Sequence, residues 1–245
     1  MDIATMYLNA ARAAAALIAA PEVAARWDAS SALDEMTVGA LACHLARQVT
    51  MVPAVISETA AAAEVITVLD HYARVEWVGA PLDAEINVRT RQGSASEAAA
   101  GPAELLDRIG AAMAELATLR SAQDSPVYLP WTGWALPLDD FLTTRLLEIV
   151  IHLDDLAVSV GTQTPALPAP ATDTVLALLT KLATRRHGPT PLIRALARAE
   201  RAPASITAFL CMATRGTRTS TGGGSCGTGR HGAGALGARG WGRGG

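Results

Sequence analysis

LDDFLTTRLLEIVIHLDDLAVSVG, residues 138–161, carries two stripes on one predicted helix. Placed at 100° per residue, Leu142, Leu146, Ile149, Leu153 and Leu156 share one face, the ordinary core face of a bundle helix. Phe141, Arg145, Glu148, His152 and Asp155 form a second line, within about 80° of arc. A solvated face would scatter Lys and Glu, whereas this line of ionisable groups adjoins leucines. Asp139 reads as the N-cap and Gly161 as the stop at C′, giving a helix over 139–160 about 33 Å long.

Upstream, residues 37–65 read TVGALACHLARQVTMVPAVISETAAAAEV. Thr37 is an N-cap, and Met36 can staple onto Leu41. The helix is predicted from Val38 to about residue 60, kinked rather than ended by Pro53. Ile3, Tyr7, Ala10, Ala14, Leu17 and Ile18 predict another helix over 3–19, ended by Pro21. Residues 60–77 read as helix, although Val65, Ile66, Val68 and Val75 also suit a strand. Residues 78–100 read as a connection with some helical character. Gly101-Pro102 opens a helix to about Ser121. AQDSPVYLPWTGWALP, 122–137, reads as a loop. After TPALPAPA come two further helices, 172–187 and 190–201, separated by Gly188 and Pro189, and residues 204–209 read as a short strand or extended end. Long helices joined by loops predict an all-α four-helix bundle over 1–162, with two C-terminal helices, 163–209, docked outside it.

The chain has 245 residues, half of them apolar and 18% charged, which suits one globular domain with an extension. Residues 210–245 hold 13 of the 21 glycines, 5 of the 20 Lys+Arg and no acid. They have no hydrophobic period and are predicted to be a disordered tail. An RGG-like arm, or a shifted reading frame in a GC-rich gene, would give the same composition. Residues 1–209 then carry 15 basic and 23 acidic residues, net −8, which argues against nucleic-acid binding. Only Cys43 of the three cysteines lies before the tail, so no disulfide framework or CxxC zinc site is expected. No long uncharged apolar run and no basic leader is visible, so neither a membrane span nor secretion is expected, and the default compartment is the cytoplasm.

Glu148 and His152, at i and i+4, project side by side and can chelate one cation. The same ExxxH pattern also occurs in surface ion pairs. His44, in LACHLARQ, shares its general face with Leu41 and Leu45 and so points inward, as a third ligand or as a hydrogen-bonded core histidine. The other histidines before the tail, His71 and His187, lie at predicted element ends. Two His and one Glu with a free position make a catalytic type of zinc site, not a closed structural one. Asp155 could orient an imidazole or be a solvated acid. Arg145 could pair with Glu148 or with a substrate carboxylate. Gln48, one turn beyond His44, could contact a ligand. Trp131 and Trp134 could wall a pocket or anchor their loop, and Cys43 reads as a small buried residue.

MTVGALACHLARQ, followed about a hundred residues later by LDDFLTTRLLEIVIHLDDLAVSVG, resembles the metal-binding domain of the mycothiol-dependent maleylpyruvate isomerases, of the DinB-like four-helix-bundle superfamily. The resemblance covers roughly residues 3–162. It implies a divalent metal, typically zinc, held by His44, Glu148 and His152, and mycothiol as cosubstrate in an actinobacterial setting. The implied chemistry is activation of a thiol for attack on a small electrophile, by an isomerase or a thiol S-transferase. The isomerases carry a distinct C-terminal domain, where this chain has residues 162–209 and the tail. A non-enzymatic metal- or thiol-sensing bundle, and a helical domain without metal, are the competing readings. Bundles of this type often pair, which leaves a homodimer open.

Overall fold

The computed structural model describes residues 1–58, 63–119 and 125–209. Asp2 caps the first helix, α1 (Ile3–Ile18), its carboxylate accepting the Thr5 N–H at 2.7 Å. Pro21 then opens α2 (Pro21–Ala25). Thr37 caps α3 (Val38–Thr50) through the Ala40 N–H. Pro53 has no N–H for the Val49 carbonyl, and the helix is interrupted at Met51 before continuing as α4 (Val52–Ser57). Val38–Ser57 is long and apolar enough to cross a membrane by length and composition. Most of it is buried in protein, as expected of a central core helix.

Residues 60–77 correct the sequence reading. Helix α5 is confined to Val68–Arg74, and the described part of the preceding segment is extended. Residues 78–100 correct it further, since a full helix, α6 (Glu85–Ala98), occupies most of that span. Its sequence has almost no apolar stripe, and it buries Arg91 and Ser94 instead. Arg91 is held by Glu35 at 2.7 Å and by the Leu82 carbonyl at 2.9 Å. Helix α7 (Gly101–Leu119) begins at a positive φ of 86°, which glycine adopts without strain.

The predicted loop before the ligand-bearing helix holds a hairpin, β1 (Val127–Leu129) and β2 (Trp134–Leu136), with Tyr128 opposite Ala135. Val65 bridges Ala135 in parallel, and Ile66 and Ala135 exchange main-chain bonds with Ala135 and Glu64. This long-range pairing is what draws 63–66 out of a helix.

Helix α8 (Leu138–Val160) starts after Pro137, so Asp139 is not its cap. Both acids of its first turn suit the positive end of the helix dipole, and Asp140 accepts the Val68 N–H at 2.8 Å, tying α5 to α8. Gly161, at φ 75°, ends the helix as expected. The Thr162 N–H reaches the Ala157 carbonyl in a Schellman arrangement. Helices α9 (Ala169–His187) and α10 (Pro189–Ala197) follow, and α9 packs on α1 and α8. Residues 204–209 form no strand. Phe209 packs on Tyr72 and Trp77, with ring centroids 5.6 and 5.2 Å away.

Helix α3 is the hub, touching α1, α6, α7 and α8. The core is built from Tyr7 and Ile18 of α1, Leu41 and Leu45 of α3, and Leu146, Ile149, Leu153 and Leu156 of α8. The result is an all-α, DinB-like bundle with one small sheet. The predicted tail, 210–245, lies outside the described residues, as do Cys211, Cys226 and Trp241.

Candidate metal centre

Helices α3 and α8 pack face to face and carry the candidate ligands. Leu41 and Leu45 are fully buried, which turns His44 toward α8. On α8 the leucine stripe is buried and fixes the rotation, so the adjoining line of Arg145, Glu148, His152 and Asp155 faces the cleft beside the core. His152 Nε2 lies 3.3 Å from Glu148 Oε2, and His44 Nε2 lies 3.8 Å from the same oxygen. The two imidazoles meet edge to face at 4.7 Å. One ligand atom from each of the three residues lies within 4.8 Å of the others.

These distances suit a small cation. Zinc bonds of about 2.1 Å in a tetrahedron put ligand atoms about 3.4 Å apart, so the His152–Glu148 edge already matches, and the His44–Glu148 edge needs to close only slightly. The side chains are 18%, 16% and 12% exposed for His44, Glu148 and His152, low enough to strip water yet open on one side. His44 Nδ1 is buried with no hydrogen-bond partner among the described residues.

The surroundings set the charge states. Burial is the largest influence on Glu148 and opposes its charge, yet hydrogen bonds from His152 and His44 hold the carboxyl well below the usual carboxylate range. Burial pushes the His44 imidazole down and favours the neutral, ligating form. Burial also opposes charge on His152, but bonds to Asp155 and Glu148 outweigh it and raise the imidazole to about 9. Its proton is what a bound cation would displace. Asp155 Oδ2 sits 2.9 Å from His152 Nδ1, the carboxylate–imidazole contact that supports many metal-binding histidines.

The family model for the mycothiol maleylpyruvate isomerase N-terminal domain matches residues 7–157. The chain belongs to this family. The match spans α1 through most of α8, and so includes both helices that carry the three candidate ligands. The family is one of mycothiol-related, metal-binding helical domains. No curated protein and no solved structure matches the chain.

Other residues singled out in the sequence fall in different places. Arg145 donates to Gln48 Oε1 at 2.6 Å and to Thr144, not to Glu148. Gln48 is buried, and its amide donates to the His44 carbonyl. Trp134 donates from Nε1 to His71 Nδ1 at 3.2 Å. Trp131 stands 53% exposed at the hairpin turn, away from this hydrogen-bonded group. Cys43 is buried, and burial pushes its thiol up to about 11, which makes it a poor nucleophile.

Sequence reasoning passed over His71. It is buried in the last turn of α5 and feels the charges of Arg145 and Glu148. Its only sequence signal was scarcity, as one of four histidines before residue 210. Tyr7 was read as core only, yet its hydroxyl donates to the Gln48 carbonyl at 3.0 Å.

Proposed function

We propose that this chain is a metal-dependent enzyme of thiol chemistry. His44, Glu148 and His152 are the protein ligands of a divalent cation, zinc by the nature of the donors, and mycothiol is the thiol cosubstrate. The observation that carries this reading is the convergence of three ligand atoms within 4.8 Å from helices about a hundred residues apart in sequence. When bound, such a cation lowers the pKa of a coordinated thiol and keeps it as thiolate near neutral pH.

The chain's own residues prepare that chemistry. Three protein ligands leave one position open. Asp155 holds a proton on His152 Nδ1 and so aims the Nε2 lone pair at the side where Glu148 lies. The leucines of α3 and α8 exclude water from one side, which strengthens every charge interaction at the site. The reaction class is sulfur addition to an electrophilic carbon, such as an activated double bond, a carbonyl or an epoxide. Addition, rotation and elimination isomerise a double bond, and addition alone gives an S-conjugate. A thiol that must stay reduced fits a cytoplasmic setting.

Elemental analysis of the full chain, beside His44→Ala and Glu148→Gln, tests the metal. About one ion per chain, lost in both variants, is expected. A parent that takes up no zinc even after reconstitution overturns the reading. Thiol consumption with a panel of electrophiles then tests the enzyme. Metal without turnover would leave a binding or sensing bundle in its place.

A further inference from the structure

One turn from Glu148 on the same helix sits a cation that makes no ion pair among the described residues. Arg145 is half-buried. Its Nη1 donates to Gln48 Oε1 at 2.6 Å and its Nε to Thr144 Oγ1 at 3.1 Å, and the guanidinium lies 5.7 Å from the Phe141 ring centroid. Among the described residues, no carboxylate is within ion-pairing distance, and Nη2 has no hydrogen-bond partner. The charge of Arg145 acts on Tyr7, His71, Tyr72 and Glu148. Only Glu148 is acidic, and its carboxylate is already committed to the two imidazoles.

A guanidinium does not release its proton in proteins, so this charge persists. Taking a cation partly out of water without a counter-ion is costly, and the cost is relieved when an anion arrives. The group is also held in place before any ligand comes. Gln48, which fixes Nη1, is itself tied to the His44 carbonyl, so the guanidinium is coupled to the turn that carries a candidate ligand. Nη1 also contacts Met51 Sδ at 4.0 Å, which leaves Nη2 as the charged donor a carboxylate can accept from. His71, which feels the charge of Arg145, accepts from Trp134 at Nδ1, which puts its own proton on Nε2, where it has no partner among the described residues. A neutral donor in the field of a fixed cation does not repel an anion.

We propose that Arg145 is a carboxylate subsite that makes this face of α8 selective for anionic small molecules. The inference rests on the reading of this cleft as a thiol-dependent metal site. The carboxylate belongs either to the electrophile or to the thiol, and the chemistry of recognition is the same for both.

The test is binding to the purified full chain, as isolated and again after metal removal. The probes are fumarate for the electrophile side, N-acetylcysteine for the thiol side, and fumaramide as the uncharged control. Calorimetric titration and thermal shift would be read for the parent, Arg145→Gln and Arg145→Lys, with helicity and metal content recorded for each. The parent is expected to bind at least one of the two acids and not fumaramide. Arg145→Gln should weaken that binding roughly tenfold or more, as loss of a charged hydrogen bond does, with metal content unchanged. Arg145→Lys should recover only part of it. Dependence for fumarate assigns the subsite to the electrophile, and dependence for N-acetylcysteine alone assigns it to the thiol. Acid binding that is equal in the parent and in a helical Arg145→Gln, or absent from the parent in both metal states, overturns the proposal. Arg145-dependent binding in a chain that holds no metal would separate the two readings, upholding the subsite and removing the metal.

Discussion

Asp155 holds the Nδ1 side of His152 at 2.9 Å, whereas the Nδ1 of His44, in the facing helix, is buried without a partner among the described residues. The two imidazoles that meet over Glu148 are therefore supported unequally, one braced by a carboxylate and one by packing alone.

Asp155→Asn should weaken zinc affinity about 10- to 100-fold, the usual effect of removing such a support. The stoichiometry at saturating zinc should stay that of the parent. Competition with a chromogenic chelator measures both. An unchanged affinity would make Asp155 a solvated acid.

Gly39 sits in the first turn of α3 under Trp27, and a Cβ there would lie 2.6 Å from the indole ring. Trp27 cannot simply swing away, since its Nε1 donates to the Ala98 carbonyl at 3.0 Å and ties α6 in place. Gly39→Ala should therefore cost about 1–3 kcal/mol by overpacking, despite the better helix propensity of alanine. Urea denaturation would show it as a lower midpoint.

Leu153 is almost fully buried on the core stripe of α8, next to His152. Leu153→Ala should destabilise the fold by about 2–5 kcal/mol. It should also loosen the metal, because the stripe sets the rotation of α8.

Burial lowers the His71 imidazole from 6.5 to about 4. The unfolded chain binds a proton here between those values and the native chain does not. Stability from this group is thus complete above pH 6.5 and is lost as pH falls toward 4, by up to about 3 kcal/mol. In metal-free protein, chemical denaturation of His71→Gln across pH 4–7.5 should show a shallower acid-side decline than the parent. Parallel profiles would mean that His71 takes up its proton equally readily in the native and unfolded chains, and so would refute the lowered value.

The fold was legible where a local device specifies it. Thr37 before an apolar run, Gly161 after one, and the leucine stripe of α8 each act within a turn or two, and each appears as expected. Helix α6 was not legible, because it is held by the Arg91–Glu35 ion pair and by Trp27 more than by an apolar stripe. The hairpin was hidden for a related reason, since Ala135 finds its second neighbour at Val65, seventy residues earlier. In the site, Glu148 and His152 are visible as a helical pair. His71 was not, because its place depends on the Asp140–Val68 and Trp134–His71 hydrogen bonds, which no spacing rule anticipates.

All three candidate ligands come from α3 and α8, and none comes from the described residues of 51–137 between them. That intervening stretch carries His71, which feels the charges of Arg145 and Glu148, and Trp134, which donates to it. The scaffold thus divides labour along the chain. Two helices carry the ion-holding geometry, and the short helix α5 and the hairpin, which supply no ligand to it, can vary more freely than the α6 and α7 helices packed on α3. Specificity in such a bundle can drift while its inorganic chemistry stays put.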